Sequence, residues 1–395
     1  MDKIYKITFT PCEPYFFGNE KSFLYPGQSV RGLYANSYFI KGEEMPSQSA
    51  LLGALRYIFL VHKKADYNYT MDELSDNNAV VGNKSFDIDS PEMQSFGIIK
   101  KCSPVFIHKA DGTKIIPTPF DHRVKRDDTS EGKGKKSRVY NTTYAPFSEY
   151  KDDIETLDGK KLYADDFEVK DGLADSYVAL PHENSPGSIY SSSDVFTSDT
   201  RIGINRGVKN DGFFKKEYKM LKDGFSFAVY AVLDIDAYAC VARDKAIDIT
   251  KPQTVFLGQG KSAFSVEFTE TAEAPENDPF KDVFYSEVKK FLSSHPKKEK
   301  LVYCLSDTAV SSDPYENTLF SAVKTKEYRA FKTVVKETDE NNKEIRGRVV
   351  KGSVLHRLIK AGSVFLTDDP AEWIAAHKNE KAEMIGFNSF IIIGG

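Results

Sequence analysis

The sequence predicts an α+β fold of antiparallel sheets with helices on one face, and three observations carry that prediction. Ile4 to Phe9 alternates apolar and polar residues, as a half-buried strand does. Pro46-Ser47-Gln48-Ser49 opens a run in which Leu51, Leu52, Leu55, Ile58 and Phe59 recur at helical spacing. From Phe225 to Leu305 the pattern reads strand, helix, strand, strand, helix, strand.

The elements follow in order. Pro11 through Gly27 is a loop marked by proline and glycine, so the chain opens as strand, loop, helix. About Ala65 to Ser95 the composition turns polar and Asn/Asp-rich and reads as an insertion, followed by short strands at Gly97 to Lys100 and Pro104 to His108. The most basic stretch comes next: Arg123, Lys125, Arg126, Lys133, Lys135, Lys136 and Arg138 stand among Gly, Ser and Asp, a composition that cannot pack a core. Tyr150 to Ser198 reads as loop. In the second half, strands at Phe225 to Ile235, Thr254 to Leu257, Ala263 to Phe268 and Lys300 to Leu305 are joined by helices at Asp236 to Asp244 and Asp282 to Leu292. That order is the ferredoxin-like split unit. Beyond Lys324, strands at Tyr328 to Val335, Gly362 to Thr367 and Phe387 to Ile393 alternate with turns and a helix at Pro370 to His377. No internal repeat is clear, although the shared strand-loop-helix opening permits a duplicated fold. The expected organisation is an N-terminal domain over residues 1–215, carrying the inserted polar and basic loops, and a C-terminal domain over 216–395 with additional strands.

Composition narrows the function classes. A chain of 395 residues with 40% hydrophobic content can bury two cores, which excludes disorder throughout. Its 54 basic and 58 acidic residues give a net charge of −4, so no global field draws a polyanion and any such site must be a local concentration of Lys and Arg. Cys12, Cys102, Cys240 and Cys304 lie far apart with no Cys-x-x-Cys pair, against a zinc knuckle and against a secreted disulfide framework. The N-terminus alternates like a strand, and the longest apolar run, near Phe225 to Leu233, is too short to span a bilayer. A reduced, cytoplasmic protein without a membrane partner is expected.

Several short motifs then occur in series: Pro14-Tyr15-Phe16-Phe17-Gly18 after the first strand, Pro46-Ser47-Gln48-Ser49 leading into Leu52-Gly53-Ala54-Leu55-Arg56, Arg201-Ile202-Gly203-Ile204, Phe256-Leu257-Gly258-Gln259-Gly260, Ala361-Gly362-Ser363-Val364 and Gly386-Phe387-Asn388. As a set and in this order, they resemble the RAMP superfamily of type III-B CRISPR effectors, and within it the third subunit of the Cmr complex. The resemblance covers both ends and the middle of the chain, while the intervening loops match poorly. It implies two ferredoxin-like (RRM-type) domains with antiparallel sheets and long inserted loops. It also implies a subunit of antiviral defence that binds the 5′ tag of the guide RNA, docks on the large polymerase-like subunit beside neighbouring backbone RAMP subunits, and catalyses nothing itself, with no cofactor.

Gripping a single-stranded tag takes backbone amides and cations for phosphates and flat side chains for bases. Arg201 and Arg206 bracket Gly203, which would let an RNA backbone approach closely; the alternative pairs Arg201 with Asp199 or Asp211 and leaves Gly203 to relieve a strand bend. Ser47, Gln48 and Ser49 stand at a helix start, an ordinary cap or a phosphate site, with Arg56 two turns further on. Gly258, Gly260 and Lys261 end like a P-loop, but Val255 stands where that motif needs its first glycine and a strand follows instead of a helix, so a hairpin or an RNA-facing turn is expected. Tyr15, Phe16 and Phe17, followed by Gly18, offer rings for bases or packing for the sheet. The basic stretch with Arg123, Lys125 and Arg126 reads as a flap over RNA or over a neighbouring subunit, or as a solvated excursion. The cations Lys324, Lys326, Arg329 and Lys332 are spaced to share a sheet face.

The histidines show no metal-ligand spacing and no partner nucleophile. Asp234 and Asp236 flank a strand end without a third carboxylate. His122, beside Asp121, is the one candidate general base should the chain instead be a guide-processing endoribonuclease. A scaffold that binds only protein partners is the remaining alternative.

Overall fold

The computed structural model describes residues 2–18, 22–24, 38–60, 71–126, 138–140, 144–147, 149–156, 159–164, 167, 172–173, 175–181, 187–205, 212–275, 277–295, 300–310, 312–329, 331–334, 348–351 and 354–394. Contacts gather the chain into two units of three segments each: Met1–Val105, Phe196–Ala274 and Glu327–Arg357 in the first, Phe106–Val195, Pro275–Lys326 and Leu358–Gly395 in the second. A division between residues 215 and 216 falls inside the strand Gly212–Leu221.

In the first unit the opening strand Lys3–Pro11 lies at the centre of an antiparallel sheet. On one side it pairs with Phe225–Leu233, which pairs in turn with Ile99–Cys102. On the other it pairs with Ser262–Glu273, which forms a hairpin with Gln253–Leu257. Numbered along the chain with the Gln253–Leu257 strand set aside, the four principal strands stand in the spatial order second, third, first, fourth. The first crossover carries the helix Gln48–Phe59 and the last the helix Ile235–Ala242. Ser47 starts the first helix as expected, its hydroxyl accepting from Ala50 N at 3.3 Å. The helix then buries Leu51, Leu52, Ala54, Leu55, Ile58 and Phe59, and the Phe59 ring meets Tyr238 of the second helix at 5.2 Å and Phe268 of the sheet at 5.7 Å. Asp234, at the strand end, caps that second helix by accepting from Ala237 N at 3.0 Å. A second sheet runs Phe196–Asn205, Gly212–Leu221, Tyr38–Lys41, Ser22–Leu24, its first pair a long antiparallel ribbon.

The second unit repeats the strand order. Leu301–Cys304, Thr318–Ala322, Val364–Thr367 and Phe390–Ile393 again stand second, third, first, fourth, all antiparallel. The helix Pro370–His377 occupies the last crossover, started by Asp369, whose carboxylate takes Ala371 N and Glu372 N at 3.0 Å each, and by Pro370 in the first turn. Its Trp373 packs on Phe365 at 4.6 Å, beside Val302, Cys304 and Ile359. Four further antiparallel strands, Phe106–Lys109, Lys114–Pro117, Ser176–Ala179 and Ile189–Ser191, and the helix Ser286–Ser293 complete the unit.

The α+β class with mainly antiparallel sheets therefore holds, with three corrections. The elements expected from Phe225 to Leu305 are present, but those up to Ala274 belong to the first unit and the last helix and strand to the second. The polar stretch after Ala65 contains the helix Met71–Val81. Tyr150 to Ser198, expected as loop, supplies strands at Tyr150–Thr156, Gly159–Ala164, Ser176–Ala179 and Ile189–Ser191. Such short or polar strands are held by pairing with a neighbour, which leaves little periodicity in the sequence itself. Burial pushes the Cys102 and Cys304 thiols up to about 12, and all four cysteines are free.

Arg56 has a structural task. Its Nε and an Nη donate to the carbonyls of Val81 and Gly82 at 2.7 and 3.1 Å, satisfying the end of the helix Met71–Val81. Replacing it by Met leaves those carbonyls without their charged donor, and urea unfolding is expected to show a loss of about 2 kcal/mol at unchanged m. A loss below about 0.5 kcal/mol would mean that the two bonds contribute nothing net.

Candidate nucleic-acid interface

The first unit brings together three segments that lie far apart in the chain. Tyr15, Phe16 and Phe17 leave the opening strand, and each is tied by its backbone to a different partner. Tyr15 exchanges two hydrogen bonds with Lys219, at 2.8 and 2.9 Å; Phe16 O accepts from Gln259 N at 3.0 Å; Phe17 O accepts from Glu43 N at 2.9 Å. The loop thus joins the ribbon Phe196–Leu221 and the turn Gly258–Lys261.

Alternation fixes which side chains the ribbon presents. Asp199 faces Tyr218 across the strands, Arg201 faces Lys216, and Gly203 faces Phe214, so these six share one side. On that side the Arg201 Cζ lies 4.3 Å from the Tyr218 ring centroid while its Nε donates to Asp199 Oδ2 at 2.9 Å. Tyr218 in turn meets the Phe16 ring at 5.5 Å. Lys216 Nζ sits over two rings, Phe16 at 5.1 Å and Phe214 at 5.4 Å. Cations and rings therefore alternate along the face. On the opposite side Lys219 is buried, donating to Ser198 Oγ at 2.9 Å and paired with Glu217, whose carboxyl is held below its usual range by that partner against the opposing effect of burial.

The glycines of the motifs serve the protein's own packing. A Cβ on Gly203 would lie 2.1 Å from Phe214 Cζ, so this residue makes room for a ring of the paired strand, and the expected access for an RNA backbone is corrected. Gly258 has φ +76° and a Cβ there would lie 2.5 Å from Phe16 O, so the close approach it permits is that of the Phe16 loop. With Lys261 N donating to Gly258 O at 3.2 Å, Gly258–Lys261 is a hairpin turn, one of the two expected outcomes. Gly18, Gly260 and Lys261 are exposed around it.

Other expected site residues are placed differently. Tyr15, Phe16 and Phe17 are 0%, 1% and 6% exposed, Phe17 against Phe264 at 6.1 Å and Tyr15 at 4.5 Å, so all three rings are core and not a stacking surface for bases. Ser47 caps its helix, Gln48 is buried and donates to Ser103 O at 3.3 Å, and Ser49 accepts from Tyr328 Oη at 3.1 Å. Arg56 is occupied as described. Arg123 belongs to the second unit, half-buried, its N–H on Ala145 O at 2.8 Å. Lys125 and Arg126 lie on a strand paired with Arg138–Tyr140, their side chains outside the described residues; Arg206, Lys133, Lys135 and Lys136 lie outside them altogether. Of the four cations expected to share a sheet face, Lys324 meets Asp175 at 3.3 Å, beside Lys360 at 3.1 Å, and Lys326 meets Asp307 at 3.2 Å, so these two are ion-paired within the second unit; Arg329 falls in the first unit, and the Lys332 side chain is outside the described residues. Tyr218 and Lys216 were not singled out from the sequence, where only the alternation of Phe214, Lys216 and Tyr218 marks them.

His122 is 2% exposed and its Nδ1 accepts from Ala145 N at 3.1 Å, with the ring stacked on Tyr144. A ring sealed in this way cannot reach a ribose 2′-OH, and the general-base expectation is corrected. Among the described residues no group of three or more His, Cys, Asp or Glu is arranged to hold a metal ion, and no helix is long and apolar enough to cross a membrane.

The shared strand order makes both units small antiparallel α+β domains, and the first carries a ribbon face on which cations alternate with rings. Residues 7–273 match the family of CRISPR-associated proteins described as Cas_Cmr3, and the chain belongs to that family. It is accordingly a Cmr-type subunit of a type III CRISPR effector, as the motifs implied. Among curated proteins none matches the sequence. Among solved structures the chain is similar to one from a Type III-B Cmr-beta complex bound to cognate target RNA, at 12% identity and a TM-score of 0.43, covering 98% of this chain and 96% of that one. It is also similar to one from a Csm3-Csm4 subcomplex of a type III-A CRISPR-Cas interference complex, at 10% identity and a TM-score of 0.33, covering 99% and 98%. Likeness this loose gives no residue correspondence.

Two outcomes test the site's construction. Gly203→Ala is expected to cost about 1–3 kcal/mol in thermal unfolding, and Phe214→Ala in the same chain to remove most of that cost; equal costs in both backgrounds would show that Phe214 is not what the glycine accommodates. Burial pulls the His122 pKa from 6.5 down to about 4, so the unfolded chain takes up this proton first as pH falls. Stability from this group is complete above about pH 6.5 and lost toward pH 4, by about 3 kcal/mol in all. His122→Asn should therefore show a flatter dependence of unfolding free energy between pH 7 and 4.5 than the natural chain. Parallel profiles would place the acid sensitivity elsewhere.

Proposed function

We propose that this chain is a non-catalytic, cytoplasmic RNA-binding subunit that seats the 5′ tag of the guide RNA in a type III effector and docks on the large polymerase-like subunit beside the backbone RAMP subunits. The reading takes each unit as a ferredoxin-like domain, supported by the strand order that both share. One observation carries the RNA part: Lys216 and Arg201 alternate with Phe214 and Tyr218 on a single ribbon face, next to the exposed turn that bears Lys261. Lys216 there neutralises a phosphate while the planar groups beside it receive bases, each worth about 1–3 kcal/mol where a base stacks. A chain of net charge −4 attracts RNA only through such a local arrangement.

The test is to purify the tagged full chain from cells expressing a guide array and to sequence the RNA that accompanies it. Guides sharing one 5′ terminal segment are expected, held with an affinity that falls with salt at a log-log slope of about −0.7 per neutralised phosphate. RNA-free assemblies, or a flat salt titration, would favour the protein scaffold instead.

A further inference from the structure

Resting on that reading, we propose that Arg201 and Tyr218 form a seat for one unpaired nucleobase, and that Arg201 acts there as a stacking plane and not as a phosphate clamp. The guanidinium is fixed on two sides. Tyr218 supports one face at 4.3 Å, and Asp199 Oδ2 holds the Nε edge at 2.9 Å. The Tyr218 ring is itself braced by Phe16, whose buried ring lies at 5.5 Å. Yet the Arg201 side chain remains 50% exposed. A flat cation supported from below and half open to solvent presents its other face to whatever stacks on it.

Charge separates stacking from phosphate binding. The Asp199 carboxylate cancels most of the field of Arg201 beyond a few ångströms and repels an anion brought to the same edge. Stacking of a base on the guanidinium plane survives that neutralisation, because it depends on contact between planes. Orientation by a carboxylate costs phosphate affinity and gains geometric definition, the combination suited to a base and unsuited to a phosphate. Since every base has a π-face, the seat is tolerant of sequence.

The experiment measures anisotropy with the full chain and two single-stranded probes, octa-adenylate and an abasic octaribonucleotide with the same phosphates, each across a salt series. Arg201→Leu is expected to weaken octa-adenylate binding on the order of tenfold with its salt slope unchanged, and to leave the abasic probe unaffected. Tyr218→Leu should do the same, and because Arg201 is a surface residue its variant carries the test even if Tyr218→Leu folds poorly. If Arg201→Leu instead weakens both probes and reduces the slope by about 0.7, Arg201 is a phosphate contact and the seat is overturned while RNA binding stands. No effect on either probe likewise overturns the seat alone. Failure of the natural chain to bind either probe overturns the RNA reading together with it.

Discussion

Three consecutive peptide units, those of Tyr15, Phe16 and Phe17, hold the loop, the ribbon and the hairpin turn of the first unit in register. Buried backbone groups must find partners, and here each finds one in a different segment: the ribbon through Lys219, the hairpin turn through Gln259, the strand-end residue Glu43. The rings follow from that path. Tyr15 and Phe17 pack against Phe227 and Phe264, and Phe16, equally buried, packs against Tyr218 beneath Lys216. Without these bonds the ribbon, the loop and the turn would have no reason to meet, and the alternation of cations and rings would be spread over separate elements.

How the cations are held decides what they can do. Lys219 with Glu217 and Arg201 with Asp199 are pairs, as are Lys324, Lys360 and Lys326 with their aspartates in the second unit. Counting Lys and Arg therefore overstates the attraction for a polyanion. Lys216 is placed differently, over two ring faces, an interaction worth roughly 0.5–1 kcal/mol at an exposed site.

Local signals in the sequence were reliable where the cause is local. Ser47 and Asp369 start the helices that their residue types promised, and the Gly258–Lys261 segment turns as its glycines and the following alternation indicated. What sequence could not show is which residue stands across a strand or at a distant helix end. Nothing local reveals Phe214 opposite Gly203 or the acceptors of Arg56, which lie 25 and 26 positions away, so from sequence alone the glycine looks open to RNA and the arginine free for it. The pairing of Arg201 with Asp199, two residues off on the same face, was visible as an alternative for the same reason that caps were.

The repeated strand order explains why the face exists in one unit and has a closed counterpart in the other. With every neighbour antiparallel, the end of the first strand and the starts of the third and fourth come to one edge of the sheet. In the first unit that edge is where the Tyr15–Phe17 loop, the ribbon leading into Phe225 and the turn before Ser262 gather. In the second unit the same edge is filled by Asp307 and Asn388. Asp307 takes Ala361 N at 3.0 Å and Lys326 Nζ at 3.2 Å, while Asn388, buried with φ +50°, bonds Ala309 through both its N–H and its carbonyl at 2.7 and 2.9 Å and donates to His377 O at 3.1 Å. These side chains act as surrogate backbone and close the edge with hydrogen bonds and one ion pair. The Ala361-Gly362-Ser363-Val364 and Gly386-Phe387-Asn388 motifs thus seal an edge in one unit, whereas the motifs of the first unit leave theirs lined with rings and cations. One topology yields a closed end or a receptive one according to whether short polar side chains or a cation-bearing ribbon occupy it.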